Sequence, residues 1–122
     1  MNGKKIMKLY FLFFLFCCLF TGTASAQILK TSLEITIRDR LGNTVEGAKV
    51  QLFKSADDYQ NETNPVTEVE LSDRKGRVLF KNLESKPYYV NAQKGDENNY
   101  GDGEMVDTLV ENRKNKVTII IR

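Results

Sequence analysis

Leu33-Glu34-Ile35-Thr36-Ile37-Arg38-Asp39-Arg40-Leu41-Gly42-Asn43-Thr44-Val45-Glu46-Gly47-Ala48-Lys49-Val50-Gln51-Leu52 is the stretch whose reading decides the fold. Leu33, Ile35 and Ile37 alternate with Glu34, Thr36 and Arg38. A period of two sends one row of side chains into a core and the other into water, the pattern of a half-buried strand. Ala48, Val50 and Leu52 alternate with Lys49 and Gln51 in the same way. Between the two runs, Asp39 is suited to bonding the backbone ahead of it, and Gly42 takes a positive φ at little cost.

Outward from this pair the same grammar repeats. Val69 and Leu71 mark a third strand, Val78 and Phe80 a fourth. Tyr88, Val90 and Ala92 face one way and Tyr89, Asn91 and Gln93 the other in a fifth. Met105 to Val110 gives a sixth with weaker alternation, and Val117, Ile119 and Ile121 a seventh. Asp73-Arg74-Lys75-Gly76 repeats the Asp and Gly turn chemistry, and Asn112-Arg113-Lys114-Asn115 joins the last two strands. After Gln27 no stretch holds apolar residues at helical spacing over three turns. Short strands separated by turns at this interval predict an all-β sandwich whose two sheets bury the alternating apolar set. Lys116 and Arg122 flank the apolar end of the chain as charged gatekeepers. Lys54 to Pro65 and Lys94 to Glu104 read as polar loops.

The first 26 residues read differently. Lys4, Lys5 and Lys8 precede an unbroken apolar run from Leu9 to Phe20, and Ala24-Ser25-Ala26 supplies the small residues of a signal-peptidase site ahead of Gln27. The run is shorter than the roughly 20 residues that span a bilayer. The expected organisation is therefore a secretory signal over residues 1–26 and one sandwich domain over 27–122, with no membrane span after cleavage. Lipidation at Cys17 or Cys18 is the alternative processing, although Phe16 and Cys17 stand where such sites have a small residue.

Removing the leader changes the chemistry of what remains. The chain has 18 Lys and Arg and 16 Asp and Glu; without the three leader lysines, 15 bases face 16 acids. A near-neutral domain has no electrostatic reason to seek nucleic acid or anionic lipid. Both cysteines go with the leader and histidine is absent. A Ser-His-Asp triad, a Cys-His pair and an ordinary zinc site are excluded within the chain. A carboxylate-pair glycosidase needs two acids across a cleft, for which a small sandwich has little room.

Two stretches carry a family resemblance. One is Ile35-x-Ile37-x-Asp39-x-x-Gly42-Asn43-x-Val45-x-Gly47-Ala48-x-Val50-x-Leu52; the other is Asp73-x-x-Gly76-x-Val78-x-Phe80-x-Asn82-Leu83 followed by Tyr88-x-Val90-x-Ala92. Together they resemble the carboxypeptidase regulatory-like domains. The resemblance implies a seven-stranded prealbumin-like (transthyretin-like) sandwich, shared with the collagen-adhesin B-type repeats. It also implies an accessory rather than a catalytic role. The hydrolases of the transthyretin-like class rely on histidines and a C-terminal motif that this chain lacks. Collagen-adhesin repeats often carry a Lys–Asn crosslink; the residues to watch are Lys30 and Asn115, which read as ordinary strand-end residues.

Two ligand chemistries have candidate residues. Asp96, Asn98, Glu104 and Asp107 partly match the spacing of a calcium loop, with Gly101 at its turn position, although Tyr100 stands where an oxygen ligand is usual and no helices flank it. The alternative reading is a solvated acidic turn, and no other cofactor is implied. Tyr59 and Tyr100, on the two polar loops, are the candidates for stacking on a sugar ring; they also suit plain packing caps. Asn61-Glu62-Thr63 matches a glycosylation acceptor, read as chance behind a bacterial leader. The functional expectation is an exported, non-catalytic module with a binding or structural role at the bacterial envelope, periplasmic or at the cell surface, its partner an envelope protein or a glycan. The alternatives are a calcium- or carbohydrate-binding module and a subunit of a surface assembly built by strand addition.

Overall fold

The computed structural model describes residues 30–122; the expected signal, its cleavage residues Ala24, Ala26 and Gln27, and both cysteines lie outside the described residues. Eight strands and one short helix follow in chain order: β1 Ser32–Arg38, β2 Lys49–Phe53, α1 Ala56–Asn61, β3 Glu70–Leu71, β4 Arg77–Phe80, β5 Tyr88–Lys94, β6 Glu97–Asn98, β7 Met105–Val106 and β8 Lys114–Ile120.

They form two sheets. The first runs β4-β1-β8; the second runs β3-β2-β5-β6, with β7 also on β5. β1 pairs antiparallel with β4, Ile35 opposite Val78, and parallel with β8, Ile37 opposite Ile119. β2 pairs antiparallel with β5, Val50 opposite Ala92 and Leu52 opposite Val90. These registers put the predicted apolar rows on the inner faces. Leu33, Ile35, Ile37, Val50, Leu52, Val90 and Ile121 are wholly buried in one cluster. Each such side chain contributes roughly 1.5–3 kcal/mol by leaving water, and a one-residue slip of β1 would turn its whole row outward.

The two Asp-Gly turns are built alike. Asp39 Oδ1 accepts from the amides of Leu41 and Asn43 at 3.0 and 2.9 Å. Asp73 Oδ1 accepts from Lys75 and Arg77, both at 2.9 Å. Those amides hold the Asp73 carboxyl below its ordinary range, Arg77 contributing most. Gly76 has a second duty: a Cβ there would lie 2.6 Å from the Ile37 carbonyl, so the turn packs directly against β1. Arg122 and Asn98 exchange backbone bonds at 3.0 and 2.9 Å, tying the end of the chain to β6 and joining the sheets at one corner.

Four expectations need correction. Lys54 to Pro65 is not wholly loop: Ala56–Asn61 forms α1, too short to show a 3.6-residue period. Val69 and Leu71 are exposed, because β3, Glu70–Leu71, is only a two-residue edge strand and Val69 precedes it. The sixth strand shrinks to Met105–Val106, and Glu97–Asn98 adds one that alternation did not show. Asn91, expected on the solvent side, is buried beneath the layer that α1 makes.

Candidate functional site

The outward face of β2 and β5 is covered at the end that holds Phe53, Tyr89 and Asn91, and open at Lys49 and Gln93; α1 is the cause of the cover. Ser55, extended at φ −139°, caps the helix by accepting from the Asp58 amide at 3.2 Å. Asp57 and Asp58 fill the first turn, where negative charge suits the exposed amides. The Asp58 carboxyl is held below its usual range, first by its hydrogen bond with the Ser55 side chain. Glu62 closes the helix in the left-handed region at φ 53°.

This single turn and a half lays Tyr59 over the outward residues Phe53 and Tyr89. Its ring centroid is 6.1 Å from each, edge-on to Phe53. Tyr100 arrives from the β6–β7 loop, its amide bonded to Asn98 Oδ1 at 3.0 Å, and its ring centre is 5.5 Å from that of Tyr59. The two tyrosines named from the sequence, 41 positions apart, thus share one surface. They differ in access: Tyr59 is 4% exposed and Tyr100 48%. Tyr59 is therefore the floor of the patch and Tyr100 its accessible ring.

Glu62 links the patch. Its Oε1 accepts from Asn91 Nδ2 at 3.2 Å and from the Tyr100 hydroxyl at 3.4 Å. Burial, then the carboxylate of Glu104, then Tyr100 and Glu62, push the Tyr59 phenol up to about 12. Burial and Glu62 raise Tyr100 as well. Tyr59 Oη and Asn91 Oδ1 are buried without a hydrogen-bond partner, the two such side-chain atoms among the described residues. Both lie in this layer and neither in the inter-sheet core.

The calcium candidates are not gathered. Asn98 Oδ1 is spent on the Tyr100 amide, a Glu104 carboxylate oxygen on the Gly101 amide, and Asp107 Oδ1 on the Thr108 amide at 2.9 Å. Asp96 lies exposed in the β5–β6 turn. Among the described residues no group of three or more His, Cys, Asp or Glu side chains is placed to hold a metal ion. The crosslink pair is likewise apart in role. Asn115 Nδ2 donates to the Ser32, Val110 and Arg113 carbonyls and its Oδ1 accepts from the Val110 amide, while Lys30 is exposed outside β1.

Glu62, Asn91 and Phe53 went unmarked in the sequence. Phe53 carried a usable signal: a large apolar residue at an outward position of β2 requires a cover. Asn91 and Glu62 carried none, since their meeting depends on where α1 folds.

No family model matches the chain, and no curated protein is similar to it in sequence. Solved structures are similar in fold. BcpA, the major pilin subunit of Bacillus cereus, superposes with a TM-score of 0.54 at 20% identity, over 77% of this chain and 30% of that one. The group B streptococcus pilus 2b backbone protein gives 0.56 at 14%, over 75% and 40%. A streptococcal ancillary pilin gives 0.57 at 17%, over 76% and 32%. The chain spans between 30% and 40% of the length of these proteins. What it shares with them is the architecture: a two-sheet β-sandwich.

Proposed function

We propose that the domain is a non-catalytic, exported building block of a bacterial surface assembly, working through contacts with protein rather than through chemistry. The observation that carries this is the sandwich itself, which is similar to one portion of three pilin proteins. The sheet ends support it: β8 and β4 are the outer strands of the first sheet, and β3 is an outer strand of the second, each a site for strand addition. The motifs from Ile35 to Leu52 and Asp73 to Ala92 resemble those of the carboxypeptidase regulatory-like domains, which supports an accessory rather than a catalytic role. Crosslinking in cells that make a tagged full chain, followed by capture from the envelope fraction, tests the proposal. The expected result is a set of high-mass species holding this chain and defined envelope proteins. Recovery of the chain alone, uncrosslinked, would overturn it.

A second reading has one observation in its favour. The half-exposed Tyr100 ring stands beside a carboxylate, a stacking surface with a hydrogen-bonding neighbour of the kind that holds a sugar. A rise in melting temperature with one member of a glycan panel, absent in Tyr100→Ala, would establish it.

A further inference from the structure

The two outer faces of the sandwich are opposite in charge. On the β4-β1-β8 face, the outward positions carry Arg38, Arg77, Lys114 and Lys116 against one acid, Glu34. Glu34 is 3.9 Å from Lys114, and among the described residues neither Arg77 nor Lys116 makes a salt bridge, although the charge of Arg77 reaches Asp73 in the neighbouring turn. A shallow open trough of about 280 Å³ runs between them over Thr36 and Thr118. Leu79 and Ile120 stand exposed on the same face.

On the far side, the tyrosine layer carries the carboxylates of Glu62 and Glu104, whose charges act on the Tyr59 phenol, with Asp57 and Asp58 in the first turn of α1 and Lys54 just before it. Lys49, the cation on the outer face of β2, is two rows of the sheet away from Phe53. Tyr100 and Met105 supply the exposed apolar surface there. Each face thus pairs solvent-exposed apolar side chains with charge mostly of one sign, and the prevailing signs are complementary. A guanidinium or ammonium group set against Tyr100 and Glu62 gains both a carboxylate and an aromatic face.

Resting on the reading of the domain as an assembly subunit, we propose that copies of this chain stack head to tail. The basic β4-β1-β8 face of one copy sits on the acidic tyrosine layer of the next. Because the two surfaces lie on opposite sides of the sandwich, each bound copy offers a fresh face, and the contact grows an open row instead of closing a dimer. A second copy is the occupant that satisfies both faces at once.

The test is light scattering and sedimentation of the full chain, purified as its host exports it, over a range of concentration at about 0.05 M and about 0.5 M salt. The expected result is association that continues past the dimer and weakens about tenfold or more at the higher salt, as screened opposite charges require. Two variants locate the faces: Arg77→Gln with Lys116→Gln, and Glu62→Gln with Glu104→Gln. The second pair keeps an acceptor oxygen for Asn91 and Gly101, and unchanged melting temperatures confirm that both fold. Each alone should stay monomeric, and their mixture should form one-to-one dimers and nothing larger. A monomer under all conditions, a closed dimer, or association indifferent to salt would each overturn the stacking. Capture from the envelope decides the assembly role separately, since it reports other proteins whether or not copies stack.

Discussion

Two buried asparagines eight positions apart serve the second sheet in opposite ways, one along its β5 edge and one on its outer face. Asn99, wholly buried, accepts from the Ala92 amide at 3.0 Å and donates to the Val90 carbonyl at 2.8 Å, and its own amide reaches Ala92 O at 3.2 Å. It replaces a length of missing strand along β5. Asn91, 6% exposed on the outer side, donates to Glu62 and leaves its oxygen unpaired. The β5 edge is closed polar group by polar group, as a region that fixes a fold must be. The outer face is held by ring packing and a single carboxylate, and its polar groups are only partly matched.

The comparison predicts its own largest effect at Asn99. Asn99→Leu keeps the volume but strands the Ala92 amide and the Val90 carbonyl inside the protein, which costs about 3 kcal/mol or more. Urea unfolding measures it. A loss below about 1 kcal/mol would show that water reaches these groups and that the β5 edge is no better closed than the outer face.

A smaller effect belongs to Tyr59. With its phenol raised to about 12 from 10.0, the folded chain holds that proton more tightly than the unfolded chain does. The associated stability is therefore complete below pH 10 and is lost as pH climbs from 10 to 12. The loss is of the order of 1–2 kcal/mol for a shift of this kind. Tyr88 and Tyr100 are raised too and share the window. Tyr59→Phe should flatten part of the decline, seen as a difference between two melting curves against pH. Parallel curves would mean that the Tyr59 hydroxyl stays in water, breaking the contrast between floor and accessible ring.

The inner side was legible in the sequence and the outer side only in fragments, for a physical reason. A strand with one face in a core writes a two-residue period into the chain, so Leu33, Ile35, Ile37, Val50, Leu52 and Val90 could each be assigned a side. A six-residue helix writes no period. Its signals are local, Ser55 with an acid three positions on, and they say that a turn begins without saying what it will cover. Tyr59 and Tyr100 stood out by type on polar loops, yet their 5.5 Å contact depends on α1 folding back over β2 and β5. The calcium spacing says nothing of how the oxygens are engaged, because spacing alone assumes that they are free. In the folded chain Asn98, Glu104 and Asp107 each spend an oxygen on a nearby amide.

The smallest effect is the sharpest test of the difference between the two asparagines. Asn91→Leu removes one hydrogen bond, to a carboxylate that is itself exposed and keeps the Tyr100 hydroxyl as a partner. It also removes a buried oxygen that has none, and the two terms oppose each other. A buried unmatched polar group costs about 1–3 kcal/mol, and a bond to an exposed charge gives back no more than that. The net change should lie within about 0.5 kcal/mol, several-fold less than for the same substitution at Asn99. If the two variants lost equal stability, the outer layer would be as tightly matched as the core. If Asn91→Leu instead gained stability, the unpaired oxygen would be a standing cost in the native layer, kept for what the surface above it contacts.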